Sequence, residues 1–416
     1  MAASLAVVNI GQLVTVAGPA RPRAGAELRD LGLIEDAALL VEGGRIVAAG
    51  PYSEIRSKIP QEALIADARG RCVTPGFVDA HTHLVFAGNR AAEFEQRIEG
   101  ATYQQIAAAG GGILSTVKLT RAVTEDELLA AARKHRDWML SCGTTTIEGK
   151  SGYGLDRETE LKMLRVLARL GAEGPARIVS TLLAAHTVPP EFAGRRDEYV
   201  SWIANELIPK VCEARLASYC DVFCDDHAFT VEEARTVFLS ARKHGLGLRI
   251  HAEQFRTGTG AALAAELGAA TADHLEAVTS ETLVLLCEGG VQPVLLPGSV
   301  FALSSDQYPP ARKMIDMGLA VVLASDFNPG SSPVASMPFI LSLACLQMRM
   351  SPAEALTAAT INAAWSLGLG DRIGSLEAGK EADFLIHEIA DYRELAYLIA
   401  APFRPRVFVA GSEVAL

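Results

Sequence analysis

Residues 74–83 read TPGFVDAHTH, an apolar run that ends in two histidines. The apolar and β-branched residues of this run, bounded by Pro75 and Gly76, are typical of a buried β-strand. Residues i and i+2 of a strand face the same side, so His81 and His83 are expected to point in one direction. A His-x-His pair is weak evidence for a metal site by itself, because two histidines fall at this spacing by chance.

The same theme continues along the chain, since short apolar runs alternate with helical stretches from Thr74 to about Gly368. This βα alternation is typical of a parallel sheet with helices outside it. Eight parallel strands close a barrel, so we predict an α/β protein with a TIM-type (β/α)8 barrel. The predicted strands are Gly76–His83, Thr144–Lys150, Ile178–His186, Asp221–Asp226, Leu248–Glu253, Ala270–Leu275, Val291–Leu296 and Leu319–Asp326.

The helices between these strands have recognisable first and last residues. Three starts have the spacing of a capping box, in which a hydroxyl and a carboxylate three residues later each accept a backbone N–H bond. These pairs are Thr124 with Glu127, Thr230 with Glu233, and Ser351 with Glu354. Glycine commonly follows the last turn of a helix. The predicted helix ends are Gly171, Gly245, Gly268 and Gly289.

Both chain ends have the pattern of β structure outside the barrel. Residues Ala37–Gly50 predict a hairpin around two glycines, and Asp383–His387 and Arg406–Val414 alternate apolar residues. Neither end has enough strands for its own core, so we predict one small β-sandwich or sheet domain built from both. The predicted boundaries are 1–73 and 369–416 for this domain and 74–368 for the barrel.

Composition and charge exclude several classes of protein. The chain has 416 residues, of which 50% are hydrophobic and 21% charged, which is not the composition of a disordered protein. The formal net charge is −11. An acidic surface repels phosphate backbones and anionic lipids, so we expect neither nucleic acid nor a membrane as partner.

Several further features predict a cytoplasmic protein. No apolar stretch reaches the roughly 18 residues of a membrane span, and the first residues lack the basic start of a signal peptide. The seven cysteines are scattered and include no C-x-x-C pair. We therefore expect reduced thiols rather than disulfides or a zinc ribbon.

The positions of the other histidines strengthen the prediction of a metal site. His186, His251 and His274 stand at or near the ends of three more predicted strands, and Asp326 closes the eighth. The C-terminal ends of the strands carry the active site in barrels of this type. Three imidazoles and a carboxylate, with a position left for water, form a catalytic ligand set for a single metal ion. The remaining histidines are interpreted as helix-surface or loop residues: His135, His227, His244 and His387.

Several longer motifs resemble those of one family. The segments PGFVDAHTHLVF and GSLEAGKEADFLI resemble the amidohydrolase superfamily of metal-dependent hydrolases. Within it the chain resembles the imidazolonepropionase family over nearly its whole length. The matching segments are HTHLVFAGNR at 81–90, AAGGGILSTVKLTR at 108–121, GTTTIEGKSGYGL at 143–155, AAHTVPPEF at 184–192, IHAEQF at 250–255, ADHLE at 272–276 and SDFNPGSSP at 325–333.

This resemblance implies a set of functional residues. The implied metal ligands are His81, His83, His251 and Asp326, and the implied ion is one zinc or iron per chain. Imidazole and carboxylate suit both ions, so the sequence does not choose between them. The implied substrate contacts are Arg90, Tyr103, Tyr153, His186, Gln254, Asn328, Gly330 and Ser331. A homodimer is also expected from the resemblance.

The implied reaction is the hydrolytic ring opening of 4-imidazolone-5-propanoate to N-formimidoyl-L-glutamate in histidine degradation. The substrate is a cyclic amide with a carboxylate tail, and Arg90 suits that tail because a guanidinium binds a carboxylate through two parallel hydrogen bonds. Asp326 is the first choice for the group that moves the water proton. His274 is expected to stabilise charge in the transition state. Glu253 either orients His274, shares in proton transfer, or forms only a structural salt link.

Four alternatives stay open at this stage. A deaminase of a heterocyclic base would share the fold and metal, but would not need Arg90 beside two tyrosines. A barrel acting only as a binding scaffold would typically lack the ligand set. Lys150 is interpreted as a partner of Glu148 rather than a carboxylated bridge between two metals. The run Gly110–Gly112 is interpreted as a mobile loop, since it lacks the Lys-Ser/Thr of a phosphate loop.

Overall fold

A computed structural model describes residues 4–101, 105–106, 110–225 and 228–415 of the chain. Its strands form two sheets of eight strands each. The terminal sheet contains β1 (Ser4–Val14), β2 (Leu33–Glu42), β3 (Arg45–Pro51), β4 (Leu64–Asp67), β5 (Cys72–Pro75), β14 (Phe384–Ile386), β15 (Arg406–Val409) and β16 (Ser412–Glu413). The barrel sheet contains β6 (Phe77–Asp79), β7 (Thr144–Lys150), β8 (Arg177–Ala185), β9 (Tyr219–Cys224), β10 (Gly247–Ala252), β11 (Thr271–His274), β12 (Gln292–Leu295) and β13 (Val322–Leu323).

The barrel sheet confirms the predicted α/β fold. Its strands pair in chain order from β6 to β13, and every pairing is parallel. An isolated parallel bridge between Thr82 and Phe327 joins the first strand to the last. The first and eighth strands are shorter than predicted, because their ends meet through this bridge and not through a continuous ladder. All eight predicted strands are nevertheless present.

Helices follow most of the barrel strands and cover the outside of the barrel. The α-helices are α1 (Tyr52–Ile55), α2 (Ala91–Ile98), α3 (Ile113–Ala122), α4 (Glu125–Ser141), α5 (Arg157–Glu173), α6 (Arg196–Trp202), α7 (Ile208–Glu213), α8 (Val231–Lys243), α9 (Gly260–Leu267), α10 (Ser280–Gly289), α11 (Pro297–Ala302), α12 (Ala311–Asp316), α13 (Met337–Met348), α14 (Pro352–Ala358), α15 (Ile361–Ser366) and α16 (Glu394–Tyr397). A π-helical turn, Ile203–Leu207, joins α6 to α7, and short 3-10 turns occupy Gly25–Arg29, Arg56–Lys58 and Pro190–Phe192. No helix within the described residues combines the length and the apolar character needed to cross a membrane.

The predicted helix starts are confirmed, and the predicted ends are confirmed in part. All three capping boxes are present at the starts of α4, α8 and α14. Gly268 ends α9 in the left-handed conformation that glycine tolerates best. The prediction at Gly171 is wrong, since α5 continues to Glu173 and packs Gly171 against Ile178. The prediction at Gly289 is off by one residue, because Gly290 is the left-handed cap.

The terminal sheet confirms that the two chain ends assemble together. The predicted hairpin consists of β2 and β3 with a turn at Gly43 and Gly44. Strand β14 pairs with β5, which joins the C-terminal strands to the N-terminal ones in a single sheet. This sheet has its own apolar cluster, which includes Val7, Leu39 and Phe384. The domain boundaries at 73 and 368 stay predictions.

Two of the histidines interpreted as helix-surface or loop residues are buried, His135 in helix α4 and His387 in the loop after β14. His135 Nδ1 lies 2.8 Å from the Leu84 carbonyl oxygen, and its ring stacks on Phe86 at 4.3 Å. Because a carbonyl only accepts, Nδ1 is the donor. His387 is buried beside the Thr74 hydroxyl, and burial lowers its pKa to about 3. His244 is exposed as predicted, and His227 lies outside the described residues.

Candidate active site

Three strand ends bring four of the predicted residues together at the C-terminal face of the barrel. His81 and His83 follow β6, His251 lies in β10 and Asp326 follows β13. The Nε2 atoms of His81 and His83 lie 3.5 and 3.4 Å from Asp326 Oδ1. His251 Nε2 lies 3.5 Å from His83 Nε2. All four side chains are buried, so their polar atoms converge on one small volume out of contact with bulk water.

Two carboxylates beneath this cluster determine which ring nitrogens face its centre. Asp273 Oδ2 lies 2.6 Å from His81 Nδ1, and Asp221 Oδ1 lies 3.0 Å from His251 Nδ1. An ionised carboxylate only accepts, so both Nδ1 atoms donate and both Nε2 atoms present lone pairs to the centre. His81 Nε2 has no hydrogen-bond partner among the described residues. Lone pairs that converge beside a carboxylate, with carboxylates holding the far ring nitrogens, fit a metal cation.

The protonation states favour the same interpretation. Burial lowers the pKa of His83 to about 4 and that of His81 well below its ordinary value, so both rings are neutral at pH 7. Burial alone would raise the pKa of Asp326, but the adjacent imidazoles of His83, His274 and His251 outweigh burial, and the pKa is lowered. Neutral imidazoles and an ionised carboxylate are the forms that bind metals.

His274 lies at the edge of the cluster with a carboxylate partner of its own. Its ring centroid is 5.3 Å from that of His251, and its Nδ1 is 3.3 Å from Glu276 Oε1. Burial lowers the pKa of His274, but Glu276, Asp326 and Asp273 together outweigh burial, so the pKa is raised overall. One ring nitrogen of His274 also lies within 4.8 Å of ring nitrogens of His81 and His251, so the geometry admits His274 either as a ligand or as a hydrogen-bond donor.

The structure places Glu253 against helix α9, and its catalytic role stays a prediction. Strand β10 ends at Ala252, and Glu253 has a φ of 49°, which turns it out of the alternation with His251. Its Oε1 accepts a bond of 3.2 Å from the Ala261 amide in the first turn of α9. Burial raises the pKa of Glu253 to about 7. Glu276 is therefore the carboxylate that pairs with His274.

Arg90 lies at the edge of the site, against the loop that follows β13. It is half-buried, and its Nε donates a bond of 2.9 Å to Thr116 Oγ1. A Cβ atom added to Gly330 would lie 2.2 Å from Arg90 Nη1, so only glycine allows this approach. The guanidinium thus reaches the loop that starts two residues after Asp326.

Asn328 determines the shape of that loop. Its Oδ1 accepts bonds of 2.8 Å from the amides of both Gly330 and Ser331, and its Nδ2 donates to the Asp326 carbonyl at 2.7 Å. The two amides expected to face the substrate are bonded to Asn328 in this structure. Asn328 therefore connects the conformation of the loop to the position of Asp326.

Tyr153 and His186 lie on the other side of the cluster. The Tyr153 ring is 5.9 Å from that of His83 and 5.3 Å from that of His186. His186 follows β8, stacks on His83 at 5.2 Å and donates from Nδ1 to the Gly152 carbonyl at 3.0 Å. Both predicted contacts are therefore next to a predicted metal ligand. Tyr103 lies outside the described residues.

The turn that carries Tyr153 is held by a buried carboxylate that the sequence analysis missed. Glu160 Oε1 accepts bonds of 3.2, 2.9 and 2.8 Å from the amides of Gly152, Gly154 and Leu155. Burial raises the pKa of Glu160, although these bonds oppose the shift. The sequence does contain a sign of this carboxylate, because Glu160 lies on the face of helix α5 that its apolar residues occupy.

Gln254 lies just beyond β10, near the start of α11. Its backbone amide donates to Asp225 Oδ2 at 2.9 Å, and its side-chain Nε2 is 3.5 Å from Ser299 Oγ. The long second contact leaves the side-chain amide weakly held.

Lys150 forms the predicted ion pair with Glu148. Its Nζ lies 3.0 Å from Glu148 Oε1 and also 2.8 Å from Asp221 Oδ2, with all three side chains buried. No functional role was predicted for Asp221, Asp273 or Glu276. An acidic residue inside or directly after an apolar strand was the signal for each.

The C-terminal end of the run Gly110–Gly112 is hydrogen-bonded to helix α2. The Gly112 amide donates to Glu93 Oε1 at 3.1 Å, and Ser115 Oγ donates to the same oxygen at 2.8 Å. The Gly112 amide is therefore already bonded to a carboxylate, whereas the amides of a phosphate loop are available to a phosphate. The role of this run as a lid stays a prediction.

Comparison with known families agrees with this geometry. The model of the amidohydrolase family matches residues 72–411. The chain belongs to the amidohydrolase family. A second model, of an imidazolonepropionase-like composite domain of bacteria, matches residues 37–58. The matches include the barrel, the metal-ligand candidates and the hairpin of the terminal sheet.

Similar curated proteins define the position of the chain within the amidohydrolases. The chain is 55% identical to the imidazolonepropionase of Solibacter usitatus, covering 98% of this chain and 97% of that protein. It is 46% identical to the imidazolonepropionase of Symbiobacterium thermophilum, covering 94% and 93%. The chain therefore belongs to the imidazolonepropionase family, which consists of hydrolases of carbon–nitrogen bonds. The deaminase alternative is less supported than this assignment.

Solved structures of other amidohydrolases share the fold. A triazine hydrolase variant has a TM-score of 0.72 at 18% identity, covering 99% of this chain and 94% of that one. The adenosine deaminase of Xanthomonas campestris, solved with bound zinc, has a TM-score of 0.68 at 20% identity, covering 99% and 92%. These similarities establish the architecture alone.

Proposed function

We propose that this chain opens the ring of 4-imidazolone-5-propanoate by hydrolysis and releases N-formimidoyl-L-glutamate. Water adds to the ring carbonyl carbon, the bond from that carbon to the ring nitrogen breaks, and the nitrogen takes up a proton. The observation that carries this proposal is 55% identity, over nearly the whole length of both chains, to a protein named imidazolonepropionase. The composition of the site supports it further.

The ligands in this proposal are His81, His83, His251 and Asp326, which would hold one divalent ion. The fit rests on the lone pairs that His81 and His251 turn towards the centre, on the adjacent Asp326 carboxylate and on the unpartnered Nε2 of His81. When bound, the ion supplies Lewis-acid activation of water and of the ring carbonyl. Zinc and iron are both proposed, since each accepts imidazole and carboxylate ligands.

Asp326 is the proposed proton carrier. Its Oδ1 lies within 3.5 Å of two ligand imidazoles, so it stands beside the position of the attacking water. It accepts the proton of that water and returns it to the ring nitrogen as the carbon–nitrogen bond breaks. His274, whose Nδ1 lies 3.3 Å from Glu276 Oε1, donates a hydrogen bond to the carbonyl oxygen as negative charge develops there.

Arg90 is the proposed partner of the propionate tail. Its guanidinium is half-buried at the edge of the site, where a carboxylate is partly shielded from water and binds more strongly. Tyr153 and His186 contact the ring from beside His83, and Gln254 contributes an amide from the opposite loop. Tyr103, Asn328, Gly330 and Ser331 complete the proposed contacts, with Asn328 acting mainly through the loop it shapes.

The test is an assay of freshly prepared 4-imidazolone-5-propanoate with the purified protein, together with metal analysis of the same sample. We expect the ring chromophore to disappear and about one zinc or iron per chain, as a mononuclear site requires. A sample that contains metal but leaves the ring intact would contradict the proposed substrate. A screen of heterocyclic amines on that sample would then test the deaminase alternative.

We also propose that the chain works in the cytoplasm as a homodimer. All seven cysteines are free thiols in the described residues, which suits a reducing compartment. Light scattering on the purified protein measures the mass in solution. A mass of one chain, 44.1 kDa, at micromolar concentration would contradict the dimer.

A further inference from the structure

A fully buried group of charged side chains lies directly beneath the metal-ligand candidates. We call Glu148, Asp221 and Asp273 the carboxylate layer, and Lys150 is the cation in contact with it. Lys150 Nζ lies 2.8 Å from Asp221, 3.0 Å from Glu148 and 4.0 Å from Asp273. None of these side chains has measurable exposure to solvent. Burying these charges has a large desolvation free energy, which suggests that the group has a functional role.

Each carboxylate in the layer reaches a different part of the ligand cluster. Asp221 accepts from His251 Nδ1 at 3.0 Å, and Asp273 from His81 Nδ1 at 2.6 Å. Glu148 Oε2 accepts the amide of Thr82, the residue between His81 and His83, at 3.2 Å. One ammonium group therefore contacts the three acids that hold the ligands from β6 and β10.

We propose that Lys150 is a positioning residue for the metal site: its ammonium group holds the carboxylate layer in the geometry that orients His81, His83 and His251. The inference rests on the metal site of the proposed function. Lys150 does not touch the ion or the substrate. It acts through Asp221, Asp273 and Glu148, on three strands of the barrel.

The charge balance excludes a carboxylated lysine at this position. A carbamate on Lys150 would add a negative charge among three buried acids, whereas an ammonium offsets one of the three charges. Burial lowers the pKa of Lys150, but Asp221 and Glu148 raise it by more, so the pKa is raised overall. Arg249 adds a second cation, 3.6 Å from Asp273. The layer therefore supports a single metal ion above it and no bridging ligand from below.

Two accounts of Lys150 predict opposite results when its charge is removed. If Lys150 were only a positive charge near the ion, Lys150→Met would relieve repulsion and tighten metal binding. If Lys150 holds the carboxylate layer, the same change frees the acids and weakens binding. Loss of groups that orient metal ligands typically lowers affinity by about tenfold or more, and we expect that effect here.

The experiment measures Zn²⁺ affinity by chelator competition on the wild-type chain, Lys150→Met, and Lys162→Met as a matched control. Lys162 bonds to backbone carbonyls at 120, 121 and 123, and we expect its variant to bind Zn²⁺ as the wild type does. If Lys150→Met does not fold, the double variant Glu148→Gln/Lys150→Met removes the excess charge, and we expect it to fold with the same weakened affinity. Carbon-13 bicarbonate labelling should show no carbamate in the wild type.

Unchanged or tighter Zn²⁺ binding by a folded Lys150 variant would overturn this inference while leaving the proposed function intact. A carbamate signal that the Lys150 variant lacks would overturn it as well. A wild-type chain that binds no Zn²⁺ or iron would instead overturn both the inference and the proposed metal site.

Discussion

The metal-ligand cluster and the substrate-binding loops are held in place by different kinds of interaction. The cluster consists of His81, His83, His251 and Asp326 at strand ends, where buried carboxylates hold the ring nitrogens of two ligands. The loops comprise Arg90 and residues 151–154 and 328–332. The Glu160 carboxylate accepts backbone amides at and next to the first segment, and the Asn328 side chain accepts two backbone amides of the second.

This difference predicts separable effects. A strand end is held by the whole barrel, so a change beneath the cluster alters the ligands and the turnover number. A loop held by one acceptor moves when that acceptor is lost, which alters substrate binding and leaves the metal in place. The following variants test this separation, from the largest expected effect to the smallest.

Asp326→Asn should nearly abolish turnover, because an amide neither takes up the water proton nor supplies a charged ligand. We expect kcat to fall by about 1,000-fold or more. Steady-state kinetics and metal analysis of the same sample measure the two effects. Asp316→Asn, at an exposed ion pair with Arg312, is the control. A kcat within tenfold of wild type would remove Asp326 from the proton path.

Arg90→Ala should weaken the use of substrate without loss of metal. Losing a charged hydrogen-bonding partner of the propionate is expected to lower kcat/KM on the order of 100-fold, which corresponds to a loss of about 3 kcal/mol of transition-state stabilisation. Arg133→Ala, which removes an exposed pair with Glu173, is the control. Unchanged kinetics would mean that the carboxylate binds elsewhere. Loss of metal in this variant would contradict the prediction that changes in the loops leave the metal in place.

Glu276→Gln tests the pH dependence of the site. The carboxylate of Glu276 raises the pKa of His274, so its removal lowers that pKa and reduces the protonated fraction at any given pH. If protonated His274 donates in the transition state, the alkaline limb of the kcat–pH profile moves to lower pH. We expect kcat at pH 8 to fall by about tenfold. An unmoved limb would exclude His274 as the donor.

Glu160→Gln should have the smallest effect, confined to the loop that carries Tyr153. One amide oxygen replaces two carboxylate oxygens, so the bonds to residues 152, 154 and 155 are weakened and KM is expected to rise about threefold to tenfold. The exposed Glu158→Gln on the same helix is the control. A change in kcat or metal content, with KM constant, would show that the loop and the cluster are coupled.

The barrel and the position of the cluster were predictable from the sequence. Apolar runs alternating with capped helices predict eight parallel strands, and the C-terminal ends of such strands meet at one face. His251 and Asp326 are far apart in the chain, and strand order alone brings them beside His81 and His83. The contacts of the loops were predicted only through the family resemblance, since neither Arg90 nor Tyr153 carries a periodic signal.

Features that depend on side-chain partners were not predictable. Glu253 was expected to continue the alternation of β10, but a positive φ turns it to the start of α9, and no pattern in the sequence marks that turn. His135 and His387 are polar by residue type, and only the packed structure shows a bonding partner for each in the core. The carboxylate layer depends on side-chain contacts between β7, β9 and β11, which are not neighbours in the sheet, and strand prediction does not provide such contacts.

The most direct test of the central claim is a crystal structure of the metal-loaded chain, with anomalous scattering used to locate the ion. We predict one peak per chain, at about 2.0–2.2 Å from Nε2 of His81, His83 and His251 and from an Asp326 oxygen, which are ordinary metal–nitrogen and metal–oxygen bond lengths. Two peaks, or one bound by His274 in place of Asp326, would contradict the assignment of ligands and proton carrier.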